Sequence, residues 1–370
     1  MNENKLWQIA FNHLISFNFN QYNLLLKYFG NFKEAFYAHS SDLRLAGLRE
    51  KTIEQLLLKR KAFNLCEKLE FINKENISVC FYEDPNYPIF LKNIFSPPPL
   101  LYYRGNLNID WKMSLSVVGA RNHSYYGERI INNFIPKLVE KSINIISGLA
   151  LGIDSLAHTR SIESGGQTVA VLGSGIDDDS IYPFQNKKLF YDIIANNGLV
   201  LSEFCPKTKP VSFNFPQRNR IIAGLSMSTL VVEAGEKSGS LITANQALEE
   251  GRNVLVFPGD VYNYNFIGAN NLIKNGAYLI NNLDDICQFF LSGQNNINQK
   301  EKENDFIKKF DNSQNKLELD ILKILKKGAC HVDRVIELTG ANISEISAIL
   351  MVWEIGGVIK DLGGKNYILA

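Results

Sequence analysis

Three arginines stand beside turns built from glycine, serine and asparagine, and that pairing of residue types suits the holding of phosphate. Arg121 closes the run Val117-Val118-Gly119-Ala120-Arg121, which is followed by Ser124-Tyr125-Tyr126-Gly127. Glycine permits a tight turn at the carboxyl end of a strand, where open α/β sheets bind ligands. Amide groups at the start of the next helix can hold an anion, and a guanidinium adds a permanent charge. Arg218 and Arg220 lie in Phe213-Asn-Phe-Pro-Gln-Arg-Asn-Arg220. There, guanidinium groups can grip phosphates beside Asn219 while the ring of Phe215 stacks a base. The competing reading pairs the arginines with Glu233 or Glu203 inside the fold, and the expectation is that one of the two is taken up in this way.

Two further segments have the same character. In Gly235-Glu-Lys237-Ser238-Gly239-Ser240-Leu-Ile-Thr243, hydroxyls and amides ahead of a helix form a phosphate nest. It is not a Walker loop, because G-x-x-x-x-G-K-[ST] is absent and Lys237 precedes the turn. In Ser147-Gly148-Leu-Ala-Leu-Gly152-Ile-Asp154, two glycines flank a strand-to-helix turn, with His158 four residues beyond Asp154. Asp154 is placed to N-cap the helix and His158 to fill a polar niche. An acid–base pair is the sharper alternative, but no nucleophile stands beside them.

These loops need a scaffold, and the sequence supplies one. From 73 to 291, β-rich runs at 115–118, 143–146, 168–172, 199–202, 229–232, 254–257 and 278–280 alternate with amphipathic stretches. Those stretches are 126–141, 154–164, 187–196, 241–250 and 269–275. Such alternation predicts an α/β fold with a mostly parallel, Rossmann-like sheet and helices on both faces. Four strand-end loops rich in Gly, Ser and Arg then meet at one sheet edge, a surface fit for an extended polyphosphate chain. The dinucleotide fingerprint G-x-G-x-x-G is missing, which disfavours NAD. Pro136 is expected to kink the first helix of this region.

The flanks differ. Residues 1–72 read as a small helical domain, SAM-like or a degenerate helix-hairpin-helix, with Leu14, Leu24, Leu25, Tyr28 and Phe29 at helical spacing and Gly30 at a helix end. Ile15-Ser-Phe-Asn-Phe lacks the glycines that let such hairpins approach phosphates, so packing is the role expected of it. Residues 292–316, rich in Asn, Gln, Lys and Glu, read as a solvated linker. Residues 317–370 predict three helices (317–325, 332–339, 343–355) and a hairpin bounded by Gly356-Gly357 and Gly363-Gly364, the winged-helix layout. Its third helix carries Ile346, Ile349, Leu350, Val352 and Trp353 instead of base-reading Arg, Asn or Gln. Contact with protein is the role expected of that domain.

Composition excludes several classes. The chain has 370 residues, 45% of them hydrophobic and 21% charged, an ordinary balance for a water-soluble protein of two or three domains. Its apolar runs, such as 228–232, fall far short of the ~20 residues of a membrane span, and the N-terminus lacks a signal-peptide layout, so a cytoplasmic protein is expected. Cysteines 66, 80, 205, 287 and 330 offer no zinc pair, and the five histidines form no HxxxH motif. No metal and no cofactor are therefore expected. The net charge of +1 gives no support by itself for nucleic-acid binding.

Taken together, the motifs resemble the DprA/Smf family of DNA-processing proteins. The resemblance rests on Gly119-Ala-Arg121 with Tyr126-Gly127, Ser147 to Asp154 with Ala157-His158, and Val171-Leu-Gly-Ser-Gly175 with Tyr182-Pro183. It rests also on Leu201-Ser-Glu-Phe204, Phe215 to Gly224, Val232-Glu-Ala with Ser238-Gly-Ser-Leu-Ile-Thr243, and Phe257-Pro-Gly259. Asp84-Pro-Asn-Tyr-Pro88, Pro97-Pro-Pro-Leu-Leu-Tyr102 and Arg104-Gly105 match the lead-in. It implies a core that binds single-stranded DNA, forms a homodimer and loads RecA recombinase during natural transformation or recombination, without catalysis of its own. Gly119, Ala120, Arg121, Gly127, Gly148, Gly152, Phe215, Arg218, Asn219, Arg220, Lys237, Ser238, Gly239, Ser240 and Thr243 are then the expected DNA contacts, with Asp154 and His158 structural. Two departures stand out. Ala120 occupies a position where the family has Ser, and Asp177-Asp-Asp179 is an acidic insert that would repel DNA if it faced the groove. Two other classes compete. One is a nucleoside-monophosphate N-glycosidase, whose Pro-Gly-Gly-x-Gly-Thr loop is missing ahead of Glu233. The other is a transcriptional regulator, against which the apolar third helix argues.

Overall fold

The computed structural model describes residues 2–290 apart from 16, together with 316–325, 330–355, 359–361 and 365–369. The expected linker over 292–316 therefore lies almost wholly outside the described residues, as do the glycine pairs 356–357 and 363–364. Residues Met1–Cys287 form one compact unit and Gln288–Ala370 a second.

The first unit is organised by a nine-stranded sheet. Strands β1 (Ser78–Phe81) and β2 (Leu100–Gly105) pair antiparallel at one edge, and β2 joins β6 (Leu199–Ser202) antiparallel. The rest is parallel: β5 (Thr168–Val171), β4 (Asn144–Ser147), β3 (Ser114–Val118), β7 (Ser228–Val231), β8 (Asn253–Val256) and β9 (Tyr278–Leu279), giving the order β1-β2-β6-β5-β4-β3-β7-β8-β9. The central strands are apolar runs because both sheet faces are covered. Alternate side chains divide between two cores. Val169, Val171, Leu199 and Leu201 enter one with Ile221 and Ala244, while Ala170, Leu172 and Val200 enter the other with Phe190 and Ile193.

Helices α7 (Tyr125–Glu140), α8 (Ile153–Glu163) and α9 (Lys187–Ala195) pack in succession. Helices α10 (Asn214–Gly224) and α11 (Gly239–Glu249) pack against each other, and α12 (Ile267–Lys274) lies on β8. Helix α7 runs unbroken through Pro136. A final helix, α13, occupies 283–290.

The N-terminal region is helical throughout: α1 (Glu3–Leu14), α2 (Phe19–Phe29), α3 (Phe32–Tyr37), α4 (Ser40–Leu45), α5 (Glu50–Arg60) and α6 (Leu65–Lys74). Helix α2 starts with an Asn18–Gln21 capping box and ends at Gly30 in the left-handed region (φ 74°). Its own core contains Phe11, Phe32, Leu43 and Leu56. It is also joined to the sheet edge: Ile9 packs with Phe81 and Tyr102, and Glu83 accepts hydrogen bonds from Gln8 Nε2 (2.8 Å) and the Tyr22 hydroxyl (2.7 Å).

In the second unit, helices α14 (Lys316–Leu325), α15 (Val332–Thr339) and α16 (Ile343–Ile355) accompany a three-stranded sheet of order β10 (Cys330–His331), β12 (Asn366–Leu369), β11 (Ile359–Asp361). This is the expected winged helix. Ile346, Leu350 and Trp353 of α16 fill its core with Val335 and Ile321, while Met351 and Val352 are exposed.

Candidate functional site

The chain winds from β3 outward to β6, then returns past β3 to lay down β7, β8 and β9 on the other side. Strands β3 and β7 therefore flank a topological switch point, where loops diverge and leave a crevice beyond the carboxyl ends. That crevice is a groove of 760 Å³. Gly119, Ala120, Arg121 and Asn122 line it from β3, Asp154 from β4 and Tyr182 from β5. Phe215, Arg218 and Asn219 come from α10, Lys237, Ser238, Gly239, Ser240 and Thr243 from the β7–α11 connection, and Tyr264 and Asn265 from the loop after β8. Gly127, Gly148, Gly152, Arg220 and His158 do not line it.

Of the helices that begin around the groove, α7 and α11 follow the two strands at the switch point, and their first turns differ. At α7, Ser124 is the N-cap and its hydroxyl accepts the Gly127 amide (3.1 Å). The fully buried Glu233 carboxylate then accepts from the Ser124 amide (2.8 Å) and hydroxyl (2.7 Å). The anion expected at this helix start is thus an internal one, which the helix dipole favours as it would a phosphate. Gly127 is glycine for the same reason, since a Cβ there would lie 2.5 Å from Glu233 Oε2. At α11, Ser238 is the N-cap, accepting from the Ser240 amide at 3.4 Å, and its hydroxyl lies 2.7 Å from that of Ser240. Among the described residues no carboxylate is hydrogen-bonded to this first turn, and Gly239 and Lys237 are exposed.

The arginines separate into one exposed and two internal groups. Arg121 is exposed on the groove wall and has no ion pair among the described residues. Arg218 is buried, donating to the carbonyls of Gly148 (2.8 Å) and Val171 at the ends of β4 and β5. Burial pulls its guanidinium down to about 10, against the stabilising Asp154 charge, so it stays protonated at neutral pH. A Cβ on Gly148 would sit 2.7 Å from Arg218 Nη2, so that glycine makes room for an arginine. Arg220 is bound to Glu203 and donates to Ser96 O (2.5 Å). One of the two is paired with a glutamate, as expected: Arg220 with Glu203. Arg218 is also held inside the fold, by main-chain carbonyls and by neither glutamate, because α10 lies against the sheet and turns it toward β4 and β5.

Asp154 does not cap α8 as expected, whereas His158 fills the polar niche expected of it. The N-cap of α8 is Gly152, with φ +85°, where a side chain would be strained and would strike Ala120 O. Asp154 sits two residues further in, within the first turn, and accepts the Gly148 amide (3.1 Å), closing the loop instead of capping the helix. Burial raises its carboxyl, opposed by Arg218. His158 is buried, with Nδ1 2.7 Å from Thr168 Oγ1 and Nε2 without a partner, and burial lowers it to about 3. It is a neutral core histidine.

The ring of Phe215 is partly buried and already engaged. The guanidinium carbons of Arg121 and Arg218 lie over it at 5.7 and 5.8 Å, and the Tyr182 ring centroid is 5.7 Å away. The acidic insert does not face the groove. Asp177 is buried and accepts the Lys207 amide (2.6 Å), and Asp178 pairs with Arg104 (2.8 Å). Asn122, Tyr264 and Asn265 line the groove without having been expected. Asn265 ties the β8 loop to the β3 loop by donating to Asn122 O (3.2 Å). The signal for them is the Tyr- and Asn-rich run that follows β8, since every loop leaving that sheet edge is a candidate wall.

A mostly parallel sheet covered on both faces, with a groove at its switch point, defines a Rossmann-like core, here accompanied by a winged helix. Comparison with known proteins makes the assignment specific. The family model DNA recombination-mediator protein A matches residues 78–291, more than half of the chain, and the DprA winged helix domain matches 311–365. The chain belongs to this DprA/Smf family. It is 44% identical over 207 residues to DNA processing protein DprA of Streptococcus pneumoniae, covering 56% of this chain and 72% of the relative. It is 33% identical over 333 residues to protein Smf of Escherichia coli, covering 85% and 87%. The solved structure of the S. pneumoniae protein superposes with a TM-score of 0.65 at 34% identity, over 78% of this chain and 98% of that one. The structure describing the single-stranded DNA binding mode of DNA processing protein A from Helicobacter pylori gives 0.51 at 27% identity, over 58% and 96%.

Proposed function

We propose that the groove at the β3–β7 switch point binds single-stranded DNA and that the protein presents the bound strand to a RecA-type recombinase. The observation that carries the reading is the pairing of two exposed cations, Arg121 and Lys237, with the open α11 N-terminus in one groove. Phosphates along a strand meet point charges and backbone amides there, a sequence-independent grip. The H. pylori relative, a single-strand binder, supports the same reading. Gly119, Ala120, Arg121, Asn219, Lys237, Ser238, Gly239, Ser240 and Thr243 are the proposed contacts, with Phe215 behind Arg121. Gly127, Gly148, Gly152, Arg218 and Arg220 support the walls.

Bound DNA is released intact in this reading. Glu233, the acid nearest in sequence to a glycosidase catalytic carboxylate, is buried and bonded to Ser124. Asp154 is committed to Gly148. Among the described residues no group of metal-ligating side chains is assembled and no helix is long and apolar enough to cross a membrane. Incubation with end-labelled strand, mononucleotides and ATP tests this: intact substrates are expected, and a product whose yield scales with protein would overturn it.

The protein is further proposed to be a cytoplasmic homodimer. Phe266 and Leu272 are buried in the chain's own core, so the neighbouring exposed Val261, Tyr262 and Leu279 are the candidates for the interface. Fluorescence titration with oligo-dT, competed by duplex, tests the main reading.

A further inference from the structure

The groove is lined by two exposed cations and by two tyrosine rings from different loops. Arg121 leaves β3 and the Lys237–Ser240 turn leaves β7, the two strands beside the switch point. Tyr182 leaves β5 and Tyr264 leaves β8. In the order β5-β4-β3-β7-β8 these strands are four inter-strand steps apart, about 19 Å. Tyr182 reaches the groove on the Arg121 side, its ring 5.7 Å from that of Phe215, and Tyr264 on the side of the Lys237–Ser240 turn, against Gly235.

Both rings have surface to offer. Tyr264 is 57% exposed and Tyr182 45% exposed, although both line the groove. Tyr264 lies close against Gly235, where an added Cβ would stand 3.0 Å from its Cε1, so a bare backbone lets the ring lie along the wall. Phe215 is placed differently. With Arg121 and Arg218 over its ring and Gly173 so close that a Cβ there would meet Phe215 Cδ1 at 2.8 Å, its partners are internal. A ring held this way orients Arg121 and leaves base stacking to others.

We infer that Tyr182 and Tyr264 are the two base platforms of the groove, one at each end of the phosphate contacts, and that Phe215 positions Arg121 instead of stacking a base. This rests on the single-strand reading above. Exposed aromatic faces bind bases with little regard to sequence, because every base has a π-face.

The test compares two labelled oligomers of about 12 nucleotides, oligo-dT and an abasic chain of equal length, against the full-length protein. Wild type is expected to prefer oligo-dT, because only it can stack. Tyr264→Leu and Tyr182→Leu are each expected to shrink the ratio of the two affinities by about 5- to 150-fold, the range for one lost stacked base. Tyr264→Phe, which keeps the ring, is expected to restore the ratio. Phe215→Leu is expected to weaken both oligomers alike, through Arg121. A ratio unchanged in both tyrosine variants, or equal losses on both oligomers in them, would overturn the platforms while leaving the single-strand reading intact. Wild type that binds neither oligomer would overturn that reading itself.

Discussion

The Glu233 carboxylate accepts two hydrogen bonds from Ser124, 2.8 Å from its amide and 2.7 Å from its hydroxyl, and so closes the start of α7 from within the fold. An acid at the end of a central strand, beside a ligand groove, looks catalytic in a sequence. Its geometry makes it a support for the loop that carries Arg121. Glu233→Ala leaves the partly buried Ser124 amide and hydroxyl without their partner, and a loss of about 1–3 kcal/mol is expected in urea unfolding. An unchanged unfolding midpoint would show that the bond contributes nothing to the fold.

Arg121 and Arg220 are expected to respond in opposite ways. Arg121→Ala removes an exposed cation, so oligo-dT binding should weaken and the log–log salt slope should fall by roughly 0.7 with stability unchanged. Arg220→Ala leaves the buried Glu203 without its cation, so stability should drop by about 3–5 kcal/mol. Its salt slope should stay the same. The two slopes, measured by fluorescence anisotropy, distinguish a phosphate contact from a structural ion pair.

Acid should destabilise the fold through His158. Burial lowers it to about 3, well below its ordinary 6.5, so the unfolded chain binds the proton more tightly. The stability from a neutral His158 is complete above pH 6.5 and is lost as the pH falls from there toward 3. Relative to wild type, His158→Gln should gain about 1.4 kcal/mol for each pH unit below 6.5. Parallel stability curves for the two proteins between pH 7 and pH 4 would contradict this.

Self-association is expected to pass through the exposed residues after β8. Light scattering at micromolar concentration should give twice the chain mass, and Tyr262→Asp with Val261→Asp should halve it. A wild-type monomer at every concentration would remove the homodimer from the proposal.

Much of this was legible in the sequence, and the rest was hidden for physical reasons. Strands buried on both faces are apolar runs, so the six parallel strands β3 to β8 stand out; β9, with Tyr278 and Leu279 exposed, shows only as a short run at the sheet edge, and the helices of the winged-helix unit show by their spacing. The antiparallel pair β1 and β2 flanks a proline-rich stretch without such a signal. Helix α10 opens Asn-Phe-Pro, which reads as a loop although proline is tolerated in a first turn. Residue types identified the groove, because glycine, serine and arginine gather where strands end. What they touch was not legible: Arg220 meets Glu203 and Arg218 meets the Gly148 carbonyl through packing of α10 on the sheet. Glycines at 127 and 148 look like phosphate turns yet exist to clear Glu233 and Arg218.

The most direct measurement is an oligo-dT titration of wild type and of Arg121→Ala with Lys237→Ala, repeated with unlabelled duplex as competitor. Wild type is expected to bind the single strand, to retain it against duplex, and to lose it steeply with salt. The double variant is expected to bind far more weakly, with a slope smaller by roughly 1.4 for two lost phosphate contacts. Equal binding and equal slopes in the two proteins would contradict a role for this groove in holding single-stranded DNA.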